Sequence, residues 1–299
     1  MFDSPLSASA YEVLGVAPDA TDNDLRRAFR LQLRRTHPDT GGDAAVFIRV
    51  QRAWELVGTP EDRAAYDRGH GFAGESEWSG WRAPARTDTR PRARFHGTAG
   101  GWLRTQYVAR VQSWAGAAVP DPYDPAFVRT VPVELRMLLA NALAEEATSR
   151  ILADLGMGFT VWHDVAAPAG PGDGGKIDHV VLGPSGLYGV MSADLGTDVR
   201  FRSGEIAGPD APVSDLLSRI RLVSRAARVK FSAALFVFPD DDLAEAAVPL
   251  GTVRGIPVVV VRRGVLRTVL RTGIAGTRVI GGNELFDVRT RLQQTVRTS

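Results

Sequence analysis

His37, Pro38 and Asp39 place an imidazole and a carboxylate on either side of a residue whose ring fixes the backbone. A turn of this kind presents both side chains at low entropic cost to a partner. Just upstream, Arg26 and Arg30 stand four residues apart and share one helix face, with Arg27 and Arg34 within reach. That face suits an acidic partner surface and implies fast, salt-sensitive association. Gly170 to Gly175 reads GPGDGG, which resembles a phosphate loop. It has no Lys-Ser/Thr and no following helix, so it reads as a hairpin loop. Asp240-Asp241-Asp242 reads as a solvated turn or helix start rather than a metal site.

The residue inventory bounds the remaining chemistry. There is no cysteine, which excludes disulfides, Cys-ligated zinc, iron–sulfur clusters and thiol nucleophiles. Of the 36 basic residues, only Lys176 and Lys230 are lysines, so any reaction needing an amine has two candidates. The 299 residues suggest about two domains. A formal net charge of +2 provides no strong field for nucleic acid. The apolar run Ile256 to Val261 is far too short for a membrane span, and MFDSPLSASAYEVL lacks the basic start and apolar core of a signal peptide. No membrane association is expected, and the expected location is the cytoplasm.

Three segments position these groups. Residues 1–70 carry a net charge of −2 and read as helical. Thr21 caps a helix reaching about Arg35, which His37-Pro38 ends. A second helix spans Ala44 to Val57, with Phe47, Val50, Trp54 and Val57 at three- and four-residue steps. Thr59-Pro60 starts a third, running through Tyr66. Residues 71–130 carry +3 and read as a Gly/Pro/Arg-rich linker with a helix at 102–114. Residues 131–299 carry +1 and alternate helix with strand. Helices fit Val133–Leu155, Val213–Val229, Leu266–Arg271 and Asn283–Val296. Strands fit Phe159–Val165, Lys176–Leu182, Gly186–Met191, Val199–Ile206, Ser232–Phe238 and Ile256–Val261. Apolar strands such as FSAALFVF and IPVVVV between helices imply a sheet covered on both faces.

Residues 9–69 resemble a J-domain, the co-chaperone module of DnaJ-type proteins. The resemblance is carried by Tyr11-Glu12-Val13-Leu14-Gly15-Val16, Leu25 to Arg30, His37-Pro38-Asp39 and Asp62 to Arg68. It implies an all-α helical hairpin whose His-Pro-Asp turn stimulates ATP hydrolysis by a DnaK-type chaperone. His37, Pro38, Asp39, Arg26, Arg27, Arg30 and Arg34 would form the chaperone-binding surface. Gln32 and Thr36 depart from the apolar or aromatic residues usual at their positions, which implies looser helix pairing. Without cysteine the zinc-bearing DnaJ architecture is excluded, and the following segment is a poor Gly/Phe region.

Residues 131–299 resemble the nuclease-related NERD domain of the PD-(D/E)xK superfamily. The resemblance rests on the Glu145-Glu146 helix, on Lys176 to Pro184 with Ser185-Gly186-Leu187-Tyr188, on the helix from Val213 and on the strand ending Phe238-Pro239. It implies an α/β restriction-endonuclease-like domain with a mixed sheet. In that family a strand Asp and a Glu-x-Lys triplet on the next strand hold a divalent metal that cleaves phosphodiesters. Asp178 matches the strand Asp, and Glu145 or Glu146 the helical acid. The triplet falls at Met191-Ser192-Ala193 and lacks both functional residues. Asp194 is adjacent but points to the opposite face unless a bulge intervenes. Lys176 is placed on the same face as Asp178 and could stand in for the missing lysine. His179 falls on the other face, and Lys230 has no clear route inward.

The sequence thus reads as a multidomain co-chaperone that recruits a DnaK-type chaperone. Its non-cleaving nuclease-like domain would bind an unknown client protein or nucleic acid, and no cofactor is expected. The alternative is a divergent nuclease using Mg2+ with Glu145 or Glu146, Asp178 and Lys176. A third reading gives the linker arginines Arg82, Arg86, Arg90, Arg92 and Arg94, with Trp78 and Trp81, a role in nucleic-acid binding.

Overall fold

The computed structural model describes residues 4–6, 8–70, 92–167, 175–208 and 210–298. The chain divides into two units, one of residues 2–86 with 118–132, the other of residues 87–117 with 133–299.

In the first unit, Ser9 opens α1 (Ala10–Leu14) with a capping box. The Glu12 N–H donates to Ser9 Oγ at 3.2 Å, and the Ser9 N–H donates to Glu12 Oε2 at 2.6 Å. Thr21 caps α2 (Asp22–Thr36) by accepting from the Asp24 N–H at 3.2 Å. α3 (Ala44–Val57) has the bounds its periodicity implies. α4 (Pro60–His70) runs past Tyr66, with Thr59 accepting from the Asp62 N–H at 3.1 Å. Tyr11, Leu14, Leu25, Val50, Ala53, Val57 and Tyr66 form the core. Phe29 stacks on Trp54 with centroids 4.5 Å apart. α2 therefore pairs with α3 through Leu25, Phe29 and Leu33. The Thr36 hydroxyl instead donates back to the Gln32 carbonyl at 2.8 Å. A Cβ at Gly42 would lie 2.2 Å from the Thr36 carbonyl carbon, so only glycine lets the chain return this close to the end of α2.

Arg63 on α4 fastens this unit. It donates to Asp22 Oδ1 at 2.9 Å and to the carbonyls of Pro18 and Ala20 at 2.9 and 2.7 Å, and its guanidinium lies 5.6 Å from the Tyr11 ring centroid. Arg63→Ala is expected to cost ~2 kcal/mol, because two carbonyls and a carboxylate lose a charged donor. Chemical denaturation of the variant followed by circular dichroism measures this. A change within error of zero would show that the clamp is incidental.

The second unit begins inside the segment read as linker, with β1 (Arg94–His96) and α5 (Gly101–Ala115). α5 covers the expected 102–114 helix. β1 was not expected, because three residues carry no periodicity. It forms by parallel pairing with a later strand. α6 (Pro125–Thr130) groups with the first unit. α7 (Val133–Ala153), β2 (Thr160–Ala166), β3 (Lys176–Gly183) and β4 (Gly186–Ser192) follow. The expected strand Val199–Ile206 is instead two short strands, β5 (Phe201–Arg202) and β6 (Glu205–Ile206). Ser203 and Gly204, both at positive φ, turn the chain between them. Next come α8 (Pro212–Ala227), β7 (Ala233–Phe238), β8 (Ala247–Val253), β9 (Ile256–Arg262), α9 (Leu266–Thr272) and α10 (Gly282–Thr295).

The seven-stranded sheet has the order β1-β2-β3-β4-β7-β9-β8. β2, β3 and β4 form an antiparallel meander, α8 carries the chain across to make β7 parallel to β4, and β9 is parallel to β7. β8 is an edge strand, antiparallel to β9 and irregular between Pro249 and Gly251. That irregularity hides it in the sequence. One apolar cluster joins Val180, Leu182 and Phe236 to Leu216, Ile220 and Leu292 of α8 and α10. The other joins Val181, Val190 and Leu235 to Leu152 and Leu266 of α7 and α9. The sheet is thus mixed and covered on both faces, as expected. No helix among the described residues is long and apolar enough to cross a membrane.

Candidate functional site

α7 presents Glu145, Thr148, Ser149 and Leu152 at i, i+3, i+4 and i+7, one face of the helix. Leu152 enters the core, and the three polar residues meet buried polar groups on β2, β3 and β4. Lys176 and Asp178, two apart on β3, share a face as their spacing implies. The Lys176 Nζ lies 2.5 Å from Glu145 Oε1, 2.5 Å from Asp164 Oδ1 and 3.3 Å from Asp178 Oδ1. All three carboxylate side chains are at least 94 % buried.

The other carboxylate oxygens meet backbone amides. Glu145 Oε2 accepts from the Gly100 N–H at 2.9 Å, Asp164 Oδ2 from Trp102 at 3.1 Å and Asp178 Oδ2 from Ser192 at 2.8 Å. Gly100 sits at φ +73, and a Cβ there would lie 2.7 Å from the Ala142 carbonyl oxygen, so glycine lets its N–H reach Glu145. Burial works against the Lys176 charge, but Asp178, Glu145 and Asp164 outweigh it and raise the ammonium pKa above the ordinary lysine value. Burial, then Asp178, push the Glu145 carboxyl up to about 9, with Lys176 pulling the other way.

Among the acids and lysine the sequence singled out, Glu145, Asp178 and Lys176 converge. Glu146 does not: its carboxylate pairs with Arg104 on α5 through both Nε and Nη2. The Asp194 N–H donates to Asn141, and one Asp194 oxygen accepts from Gly196. Lys230 is exposed. Asp164 was missed. It has φ +48 and sits where the β2–β3 pairing is interrupted between His163↔His179 and Val165↔Ile177. Asp tolerates this conformation better than most residues, and His-Asp in a strand was the only available signal. Asp242 is buried rather than solvated, while Asp240 accepts from the Gly264 N–H at 2.8 Å. Residues 170–174 of the glycine-rich loop, and Trp78, Trp81, Arg82, Arg86 and Arg90, lie outside the described residues.

These residues do not fit a divalent metal. Each of the six carboxylate oxygens of Glu145, Asp164 and Asp178 already has an N–H or ammonium partner. Among the described residues, no group of three or more His, Asp or Glu is arranged to hold a metal ion. Beside the cluster lies a cleft of about 510 Å³, lined also by Trp102, Asn141, Met191, Ala193 and Arg219. The Arg219 guanidinium donates to the Lys176 carbonyl at 3.0 Å.

His179 was expected on the face opposite Asp178, but Ile177 and Val180 both enter the α8 side of the core, and His179 instead reaches Thr148 on the Glu145 face of α7 through Ser192. Its Nδ1 lies 2.7 Å from His163 Nδ1 and its Nε2 3.2 Å from Ser192 Oγ, which donates to Thr148 at 2.9 Å. His163 Nε2 lies 3.3 Å from Ser149 Oγ. The Nδ1–Nδ1 contact needs one ring donating and the other accepting, so at least the accepting ring is neutral. Burial lowers His163 to about 4 and holds His179 well below the ordinary histidine value. The unfolded rings take up protons near pH 6.5 and the folded ones cannot. Stability is therefore full above pH 6.5 and is lost as pH falls toward 4. For His163 alone the loss is ~2 kcal/mol by pH 5. Urea denaturation at pH 7 and pH 5 checks this, with His163→Gln expected to flatten the dependence.

In the first unit, His37 is half-buried and Pro38 and Asp39 are exposed. They sit where α2 ends and a 3-10 turn (Pro38–Thr40) begins. His37 Nδ1 accepts from the Asp39 N–H at 3.2 Å, and its ring meets Phe47 edge-on at 5.1 Å. Arg26, Arg27, Arg30 and Arg34 are all exposed on α2.

Comparison with known proteins defines this unit. Residues 9–67 match the DnaJ domain family, and so this part of the chain is a J-domain. DnaJ protein homolog 2 of Allium porrum is 43% identical over 70 residues, covering 23% of this chain and 16% of that protein. Chaperone protein DnaJ of Gloeothece citriformis is 41% identical over 73 residues, 23% of this chain and 19% of that protein. Chaperone protein DnaJ of Bordetella petrii is 44% identical over 68 residues, 21% of this chain and 18% of that protein. The chain thus spans under a fifth of the length of these curated relatives.

Proposed function

We propose that this protein is a J-domain co-chaperone. His37, Pro38 and Asp39, with the arginine face of Arg26, Arg27, Arg30 and Arg34, dock on a DnaK-type chaperone and stimulate its ATP hydrolysis. The partner performs the chemistry. The observation that carries this reading is the His-Pro-Asp turn, with His37 half-buried and Pro38 and Asp39 exposed, at the end of a basic helix inside residues that match the DnaJ domain. A single-turnover ATPase assay with a cognate DnaK tests it. Stimulation by the wild-type chain and its loss in His37→Gln are expected; no stimulation, or equal stimulation by both, would overturn it.

The second unit is read as a NERD-like, restriction-endonuclease-like domain that binds client protein or nucleic acid without cleaving it, in a cytoplasmic protein. Met191 and Ala193, where that fold would carry its Glu-x-Lys side chains, line the cleft and supply no charge. The alternative, a divergent Mg2+-dependent nuclease, draws on the convergence of Glu145, Asp178 and Lys176. Incubation with DNA and RNA plus magnesium or manganese separates the two. Cleavage lost in Asp178→Ala would establish the enzyme, and no cleavage by the wild type would end that reading.

A further inference from the structure

We infer that Lys176 is the resident cation of the cage formed by Glu145, Asp164 and Asp178, a tethered ammonium standing where a divalent metal would otherwise be held. The inference concerns the second unit alone and is independent of the co-chaperone reading.

The hydrogen-bond accounting closes. An ammonium has three N–H donors, and the Lys176 Nζ faces three oxygens, one from each acid, at 2.5, 2.5 and 3.3 Å. The three remaining oxygens each take a backbone N–H, from Gly100, Trp102 and Ser192. Buried carboxylates without a counter-charge are strongly unfavourable, so a cage this dry needs a cation at all times. Magnesium demands about six oxygens at close range and keeps several waters. Here the lysine side chain fills the position from within the fold. It arrives on β3, two residues before Asp178, rather than from the position of Ala193 on the chain following β4.

The functional consequence is a cleft whose cation is built in and independent of metal supply. An ammonium cannot polarise a phosphoryl oxygen and generate hydroxide as a divalent ion does. It can hold Asp178 and Asp164 in place, and with them the N–H groups of Ser192 and Trp102 along the cleft wall. A ligand entering past Trp102 and Arg219 would therefore meet the same surface with or without metal.

The test is Mn2+ binding by the full-length chain, followed by the electron paramagnetic resonance signal of free Mn2+ and by thermal unfolding with and without Mn2+. Wild type should show no saturable binding at the cage and no Mn2+-dependent rise in Tm. Lys176→Met should unfold at lower temperature, bind Mn2+ at least ~tenfold more tightly than wild type, and regain Tm when Mn2+ is added. If Lys176→Met does not fold, Glu145→Gln/Lys176→Met removes one of the three crowded carboxyl groups, and it should gain Mn2+ binding over Glu145→Gln. Saturable Mn2+ binding by wild type that disappears in Asp178→Asn would overturn the inference. So would a folded Lys176→Met, or the double variant, that gains no Mn2+ binding.

Discussion

Replacing Lys176 by methionine is expected to lower the stability of the second unit by ~3–5 kcal/mol in metal-free buffer. Methionine matches the length of the lysine stem, so the loss reports the charge rather than a cavity. The magnitude follows from what remains. Glu145, Asp164 and Asp178 would face one another at 1, 0 and 6 % side-chain exposure with no counter-ion. They would have to take up protons or admit water. A domain stable by only ~5–15 kcal/mol cannot absorb that silently. A second substitution separates repulsion from lost packing. Lys176→Met/Asp178→Asn removes one of the repelling charges and should recover ~1 kcal/mol or more. Urea denaturation followed by tryptophan fluorescence measures both. If the double variant is no more stable than the single, the lysine acts mainly through its aliphatic stem.

What the sequence disclosed about this cluster follows the range of its signals. Lys176 and Asp178 lie on one strand, so a two-residue period places them together without knowledge of the fold. Glu145 required the packing of α7 across the sheet. The sequence left Glu146 equally eligible, and only the pairing of Glu146 with Arg104 separates them. Asp164 was out of reach because it reaches the cage through a left-handed backbone conformation, which alternation along a strand does not anticipate. The same contrast runs through the fold. Long amphipathic helices such as α3 and apolar strands such as β7 announce themselves locally. β1 exists only because Arg94, Phe95 and His96 find β2 to pair with, some 65 residues along the chain. Most of the J-domain was legible because its Thr21 cap and His-Pro turn are short-range or motif-borne, whereas α1 and the Phe29–Trp54 pairing emerge only from packing.

His37→Gln should abolish most ATPase stimulation, by about tenfold or more, which is ~1.4 kcal/mol or more of lost transition-state stabilisation in the partner. The fold should tolerate the change. His37 is half-buried, its Nδ1 accepts from the Asp39 N–H, and a glutamine carbonyl can accept in its place. Helical content should therefore be unchanged and stability lowered by no more than ~1 kcal/mol. A charge reversal on α2, Arg26→Glu with Arg30→Glu, is expected to act differently. Both residues are exposed and four apart, so the double change reverses the sign of one face without touching the core at Leu25 and Phe29. Its effect should fall on the concentration needed for half-maximal stimulation, raised by about tenfold at low salt and less as salt increases. The maximal rate at saturation should be retained. The two variants thus separate encounter from activation. If His37→Gln instead shifts only the half-maximal concentration, the turn contributes affinity rather than triggering hydrolysis. If the arginine reversal shows no salt dependence, docking does not use this face.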